Sequence, residues 1–343
     1  FLLGDPRNNY TAQSGLIGPN GIDKSGNRPV FLSSSKSYEL GEEEELNIEL
    51  TLQDQTGLLV KKQFVFRRGD YLFDVNYLLD NNTSVDAQVA FFSQIKRDAQ
   101  APKGQDTNAM GLRPFVGGAT RSSDELYKKL DFEDVEEEGY KAKIEGGYIA
   151  MVQHYFVSAW VPVGNGAFSY QARKLSNQDT YLFGFTTPLM TVISGGSAKI
   201  GAQYYAGPKD QYRLEEIAEG LNLTVDYGFL WWLAQPLFYL LNFIHGMVNN
   251  WGLAIILLTV IVKTLLFPLS AASFKSMAKM RKLQPEMARL KERHGEDKQK
   301  FSQEMMELYK KEGANPLGGC FPILLQMPVF LALYWTLMER SEE

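Results

Sequence analysis

The chain has 343 residues, with 35 Lys and Arg against 40 Asp and Glu and a formal net charge of −5. That is about twice the length of an ordinary domain, which predicts one large or two ordinary domains. One cysteine excludes a disulfide framework and a cysteine-based metal site, and the three scattered histidines form no HExxH-type pair. We therefore expect no metal site.

Charge is divided unevenly along the chain. Residues 1–226 carry 22 basic and 30 acidic side chains, whereas residues 271–314 carry 11 basic and 7 acidic ones. An excess of Lys and Arg beside hydrophobic segments marks the cytoplasmic side of a membrane. The pattern predicts that 271–314 lies in the cytoplasm and that the acidic front half lies on the opposite face.

The first 220 residues are predicted to form a large antiparallel β-sandwich. Apolar side chains alternate with polar ones over 46–52 and 71–77, and turn-forming residues separate such segments. Further strands are expected at 88–95, 146–161, 167–173, 180–187 and 189–205. Many strands with little helical periodicity are typical of a sandwich. The acidic runs Glu42–Glu45 and Glu136–Glu138 are expected in turns or at strand ends, and 209–220 is expected to be a short helix ending at Gly220.

Residues 221–250 contain an uncharged, aromatic stretch, YGFLWWLAQPLFYLLNFIHGMV, at 227–248. It is long enough to span a bilayer, but if the next segment spanned back, the acidic and basic regions would share one side. We therefore favour an amphipathic helix lying in the outer membrane interface. The expected interfacial anchors are Trp231, Trp232, Phe238 and Tyr239.

Residues 251–270, WGLAIILLTVIVKTLLFPLS, are predicted to form a transmembrane helix whose one charged residue is Lys263. An ammonium group inside a membrane costs at least a few kcal/mol, so it normally faces a partner, a bundle interior or water. Thr259 lies four residues earlier on the same helical face. Alternatively, the long side chain of Lys263 extends to the membrane interface. The residues alone leave both interpretations open.

Residues 271–314 are predicted to form a helical hairpin in the cytosol. Apolar residues recur at spacings of three and four in both halves, and His294–Asp297 is the expected turn. Its basic face is either an ordinary solvated surface or a contact for anionic lipid, nascent chain or ribosomal RNA. The candidate contact residues are Lys275, Lys279, Arg281, Lys282, Arg289, Lys291 and Arg293.

Residues 315–338 are the second predicted transmembrane helix, and 339–343 begin the following loop. This helix is uncharged and contains one amide side chain, Gln326. Prolines at 316, 322 and 328 are expected to bend it or to open it locally.

Three strings carry a resemblance to a known family: LTVDYGFLWWLAQPLF at 223–238, SMAKMRKLQPEM at 276–287, and NPLGGCFPILLQMPVFLALYWTLM at 315–338. Together with the order of segments, they resemble the YidC membrane protein insertases of Gram-negative bacteria, which have mitochondrial and chloroplast relatives. The resemblance covers the entire chain and identifies it as a fragment lacking both ends. It implies a multi-pass protein of the bacterial inner membrane with a large periplasmic β-supersandwich.

The resemblance also implies a hydrophilic groove between the membrane helices. Lys263 falls at the position of a cation in that groove, and Thr259 and Gln326 fall at positions that line it. Further substrate contacts are expected from Met327, Phe330 and Tyr334. Enterobacterial members carry arginine where this chain has Lys263, so the positive charge is kept but the planar guanidinium is lost.

The implied function is that of a non-enzymatic insertase and chaperone, with no cofactor and no catalytic residue. The expected partners are nascent membrane proteins, the lipid bilayer, the Sec translocon with its accessory subunits, and the ribosome, with no role for DNA. The alternative is a membrane-anchored periplasmic glycan-binding or sugar-active domain, in which the sandwich carries the function.

Overall fold

The computed structural model describes residues 10–23, 28–52, 57–100, 115–175, 179–226, 230–294, 298–311 and 316–338. The chain divides into two compact units, one ending at Asp226 and the other comprising Tyr227–Arg340. The first is built mainly of strands and the second of helices.

The described part of the first unit contains fifteen strands. They are β1 (Thr11–Ile17), β2 (Phe31–Ser33), β3 (Glu45–Leu52), β4 (Leu58–Arg67), β5 (Leu72–Asn81), β6 (Ala87–Arg97), β7 (Gly117–Thr120), β8 (Lys128–Leu130), β9 (Tyr140–Glu145), β10 (Ile149–Val152), β11 (Phe156–Pro162), β12 (Ala167–Lys174), β13 (Tyr181–Thr186), β14 (Met190–Val192) and β15 (Ser197–Pro208). Two short helices accompany them, α1 (Phe132–Glu137) and α2 (Gln211–Ile217).

These strands form two antiparallel sheets. One has the order β1-β6-β13-β12-β9, with β14 also pairing with β6, and the other has the order β2-β3-β4-β5-β15-β11-β10-β7-β8. The core lies between them, where the Phe91 ring of the first sheet contacts Tyr77 and Trp160 of the second, with centroids 5.9 and 6.3 Å apart. The predicted antiparallel sandwich is confirmed.

Several local predictions differ from the structure. The predicted strand 146–161 is two strands, β10 and β11, and the predicted strand 189–205 is β14 and β15. The acidic run Glu136–Glu138 lies partly in α1, where Val135 is buried and anchors the helix. Phe132 and Val135 are the two apolar residues of this helix, and one pair at a spacing of three is too short a pattern to predict a helix.

The segment that follows the last strand packs against the sandwich. Asp210 caps α2 by accepting hydrogen bonds from the backbone N–H groups of Tyr212 and Arg213. Leu214 and Leu221 are fully buried in a cluster with residues of the larger sheet, including Val157 and Tyr205. The helix ends at Ile217, so the predicted stop at Gly220 was wrong.

The second unit contains five helices in its described part. They are α3 (Trp231–Val248), α4 (Trp251–Leu265), α5 (Phe267–His294), α6 (Lys298–Lys311) and α7 (Pro316–Met338). Leu241, Ile244, Ala254, Leu258 and Val262 form the buried centre of a cluster of α3 and α4, and Val329, Leu333 and Leu337 of α7 pack against it.

The predicted helix of 251–270 is interrupted at Leu266. Pro268 lacks a backbone N–H, and its ring conflicts with the carbonyl four residues earlier, so a helix cannot continue undisturbed through this point. In the described residues no single helix has both the length and the apolar composition to cross a membrane, whereas α4 together with Phe267–Arg293, bent by 58°, satisfies both.

Helices α5 and α6 pack against each other as the apolar spacing predicts. Leu283 and Tyr309 are buried between them, with Met280, Met287 and Met305 packed around. Met306, the neighbouring apolar residue of α6, is exposed. The predicted turn includes residues 295–297, which lie outside the described residues.

Candidate functional site

Lys263 lies near the end of α4, on the exposed side of the helix. The buried side of α4 consists of Ala254, Leu258 and Val262. The Lys263 ammonium group lies over the Phe330 ring of α7, 4.6 Å from its centroid. Within the described residues, no carboxylate lies at ion-pair distance from this ammonium group. The aromatic face therefore supplies the electrostatic contact that a carboxylate would otherwise make.

Gln326 is the second predicted site residue that the structure places in a defined contact. Its Nε2 donates to Ser270 Oγ at 2.7 Å, and Ser270 Oγ donates to the Leu266 carbonyl at 3.3 Å. Position 263 thus faces 330, and position 270 faces 326, so α7 runs antiparallel to the α4–α5 segment. The sequence analysis missed Ser270, because the two residues are far apart along the chain.

Thr259 does not join these contacts. Its hydroxyl donates to the Ile255 carbonyl at 2.8 Å, one turn back in the same helix. Thr264 makes the same type of bond to Val260. Thr259 is half-buried and shares a face of α4 with Lys263, but the two side chains are not hydrogen-bonded.

The three remaining groove candidates form a stripe along α7. Met327, Phe330 and Tyr334 are spaced by three and four residues and are 52%, 41% and 42% exposed. Such spacing places side chains on one helical face. Lys263 therefore stands beside an exposed apolar and aromatic stripe, which offers one charged group and a broad hydrophobic surface to whatever contacts it.

The expected interfacial anchors divide between two faces of α3. Trp231, Trp232 and Tyr239 are exposed. Phe238 is buried, because it lies on the same stripe as Ala234 and Leu241, which face the other helices. Phe238 thus differs from the other three expected anchors, since an aromatic residue suits both a core and a membrane interface.

The seven basic candidates of the hairpin are all exposed along α5. They are Lys275, Lys279, Arg281, Lys282, Arg289, Lys291 and Arg293. Their positions leave them accessible to an anionic partner, and no partner is identified by the packing of α5.

The alternative hypothesis assigns the function to the sandwich. In its described part, no group of three or more His, Cys, Asp or Glu side chains is arranged to hold a metal ion. Burial lowers the pKa of Lys62 to about 8, against the opposing effect of the Asp23 carboxylate. The ammonium group of Lys62 lies 5.3 Å from the ring centroids of both Phe64 and Tyr77.

Comparison with known proteins finds a matching family model for each of the two units. The family model described as the YidC periplasmic domain matches residues 1–240, and the model described as a 60Kd inner membrane protein matches residues 243–343. The chain belongs to the YidC family. A YidC membrane protein insertase of Cellvibrio japonicus (strain Ueda107) is 55% identical over 100% of this chain and 62% of its own length. The chain spans between 59% and 63% of the length of the curated YidC relatives compared.

Two of the solved structures that match this chain resemble it only distantly. A crystal structure of an active YidC insertase matches with a TM-score of 0.36 and 17% identity, covering 95% of this chain and 62% of the other. An α-galactosidase, AgaA of Geobacillus stearothermophilus, matches with a TM-score of 0.38 and 12% identity, covering 60% of this chain and 32% of the other. At these TM-scores, neither structure supports an argument about the fold or function of this chain.

Proposed function

We propose that this chain is the part of a bacterial inner-membrane insertase and chaperone that receives nascent membrane proteins. The observation that carries the proposal is the exposed ammonium group of Lys263, held over Phe330 beside the stripe of Met327 and Tyr334. One cation in an otherwise apolar helix suits transient contact with the polar part of a client. The stripe suits the hydrophobic part of the same client.

In this mechanism, the polar end of a client lies near Lys263 while it crosses the membrane. The hydrophobic segment then moves along α4 and α7 into lipid. Removing apolar surface from water supplies the free energy, at roughly 25 cal/mol per Å². No nucleotide is required by these steps, and no catalytic residue takes part in them.

We place α3 in the outer membrane interface. The Thr336 hydroxyl, near the end of α7, donates to the Ala234 carbonyl near the start of α3 at 3.1 Å. At its other end, α3 is joined to the start of α4 through Asn249 and Asn250. Because α7 is antiparallel to α4, both ends of α3 meet the same end of this helix pair. Such a helix lies across the pair, which is the arrangement expected of an interfacial helix.

The α4–α5 segment and α7 cross the membrane in a multi-pass protein, with the sandwich in the periplasm and the rest of α5 and α6 in the cytosol. The exposed basic residues of α5 contact the ribosome or the emerging nascent chain. The Sec translocon and its accessory subunits cooperate with the protein at the membrane.

The test is site-specific photocrosslinking in the full-length protein during synthesis of a short membrane protein. Probes at Thr259, Lys263 and Met327 are expected to crosslink to the nascent chain. A probe at Leu257 is the matched control, because two residues along a helix turn it by about 200° from Thr259. A soluble nascent protein is the second control and is expected to give no crosslink.

Equal crosslinking from Leu257 and Lys263 would contradict a groove on the Lys263 side of α4. Crosslinks only to lipid or to neighbouring helices would leave Lys263 as a side chain that extends to the membrane interface.

A further inference from the structure

The outward face of the smaller sheet carries a cleft of about 430 Å³. It lies across β9, β12 and β13, at the edge of the sheet that β9 forms. The side chains that line it on this face are Lys141, Lys143, Ser169, Gln171 and Thr186. All of them carry hydrogen-bond donors, and two are cationic.

Strand register arranges these residues in two parallel rows. The first row contains Lys141, Gln171 and Gly184, and the second contains Lys143, Ser169 and Thr186. Gly184 of β13 is buried at the end of the first row. A Cβ atom added there would lie 2.3 Å from the Ser93 carbonyl oxygen, so a larger residue does not fit without backbone movement. The residues that line the cleft all lie on these paired strands, so the cleft does not depend on a loop.

Lys141 and Lys143 are exposed and have no ion-pair partner among the described residues. In contrast, Lys174 on β12 is paired with Glu136 at 2.7 Å. Glu145 is the next outward residue of β9, opposite Ala167, and marks the end of the cationic part. Arg173 extends the positive charge along the same face of β12.

This cationic cleft belongs to a domain with an excess of acidic residues. An anionic partner is repelled by most of that surface and attracted to this cleft, which favours one docking position. A sugar ligand is less well matched. Tyr170 is the aromatic residue at the cleft, but it is buried with its hydroxyl donating to the Gly146 carbonyl at 2.5 Å, so it offers no ring for stacking.

We propose that this cleft binds an extended acidic peptide segment of a partner protein. Carboxylates of the segment would pair with Lys141 and Lys143, and its polar groups would accept hydrogen bonds from Ser169, Gln171 and Thr186. Because β9 is an edge strand, an extended segment can lie along it without displacing a neighbouring strand. The proposal is independent of the insertion groove at Lys263.

The test uses the full-length protein in nanodiscs of zwitterionic lipid and fluorescence anisotropy of short labelled peptides. A peptide of alternating Glu and Thr is expected to bind, and added salt is expected to weaken the binding. Peptides in which Gln or Lys replaces Glu are expected not to bind. The double variant Lys141→Glu/Lys143→Glu is expected to lower the affinity for the acidic peptide by about tenfold or more.

The matched control is Lys36→Glu/Lys199→Glu, which makes the same change in net charge at exposed lysines elsewhere in the sandwich. It is expected to bind like the wild type. Ser169→Phe tests the shape of the cleft without changing charge and is expected to weaken binding. Thermal unfolding of each variant shows that the sandwich is folded.

Three results would each overturn the proposal. The first is equal binding of the Glu and Gln peptides. The second is an equal loss of affinity in the control double variant, which would indicate a general effect of charge. The third is binding of phosphatidylglycerol vesicles through Lys141 and Lys143 without binding of the acidic peptide, which would assign the cleft to lipid.

Discussion

At the scale of single residues, the contact between Lys263 and Phe330 explains how a cation is accommodated in an apolar helix. The ring face stabilises the ammonium group, while the exposed position leaves it accessible. A carboxylate partner would neutralise the charge permanently, and an ammonium group without any contact would be costly in a membrane. The aromatic contact stabilises the ammonium group without neutralising its charge. This suits a group proposed to contact clients transiently.

We predict that Lys263→Arg retains insertion, because the positive charge is kept. Lys263→Glu is expected to slow insertion of clients with acidic translocated ends by about tenfold, or about 1.4 kcal/mol of activation free energy. The measurement is the inserted fraction over time in membranes containing the full-length variants. As a control, the same client with Gln and Asn replacing its acidic residues should respond much less. Equal insertion by both variants would refute the electrostatic role.

Lys62 provides a prediction about pH at the same scale. Its pKa of about 8 in the folded sandwich lies below the value of about 10.4 in an unfolded chain. Between these values the unfolded state binds more protons, so the free energy of unfolding rises with pH. Lys62→Met removes this dependence. It is expected to raise the unfolding temperature of the sandwich at neutral pH, with a gain that shrinks between about pH 8 and pH 10.

The measurement is thermal unfolding followed by near-ultraviolet circular dichroism of the full-length protein across that pH range. Lys61→Met is the control, because Lys61 is exposed and pairs with Glu49 at 3.5 Å. A gain from Lys62→Met that stays constant with pH would show that packing, and not the buried charge, causes the effect.

At the scale of elements, the segment after β15 is held to the sandwich up to Asp226. Lys129 forms an ion pair with Asp226, and the Tyr148 hydroxyl donates to the Gly220 carbonyl at 3.0 Å. Gly220 begins a 3-10 turn, Leu221–Thr224, with a φ of 86°. These contacts hold the chain against the sandwich as far as Asp226, the last residue of the sandwich unit before the helical unit.

Gly220→Ala is expected to destabilise the sandwich by at least about 3 kcal/mol. The substitution places a side chain at positive φ, and its Cβ atom would lie 2.3 Å from the Leu126 carbonyl oxygen. Gly69→Ala is the matched control, because Gly69 has a φ of 69° but open space around it. Its cost should be only the conformational term of about 1–2 kcal/mol. Denaturant unfolding checks both values, and equal costs would contradict the steric argument.

At the scale of the whole molecule, the excess of acidic residues ends where the sandwich unit ends, at Asp226. The acidic sandwich and the helices with their basic segment are separate compact units. The proposed groove lies entirely in the helical unit, and the proposed acidic-peptide cleft lies entirely in the sandwich. The two proposed functions can therefore be tested separately.

Deleting residues 10–208 from the full-length protein, with the segment 209–226 kept, is expected to leave insertion of a simple client largely intact. The groove residues Lys263, Gln326 and Ser270 and their contacts all lie outside the deletion. Insertion assays, with membrane levels of the truncated protein matched to wild type, make the measurement. Complete loss of insertion at matched levels would place the essential function in the sandwich.

The sequence alone determined the order and type of the main segments. Alternation over 46–52 and 71–77 identified strands, and the basic, Met-rich pattern of 271–314 identified a pair of helices that do pack together. Both patterns are local, because they repeat within a few residues and report which face of a segment is apolar. The three motif strings likewise identified the family, because each is a run of consecutive residues that can be compared without knowing the fold.

Only the tertiary structure decided which distant residues meet. The packing of α3, α4, α5 and α7 brings Lys263 to Phe330 and Gln326 to Ser270. The same packing buries Phe238. The cleft on the sandwich depends on the pairing of three strands, whose register no local pattern records. Periodicity shows that a face is apolar or charged, but the partner of that face depends on packing across the whole chain.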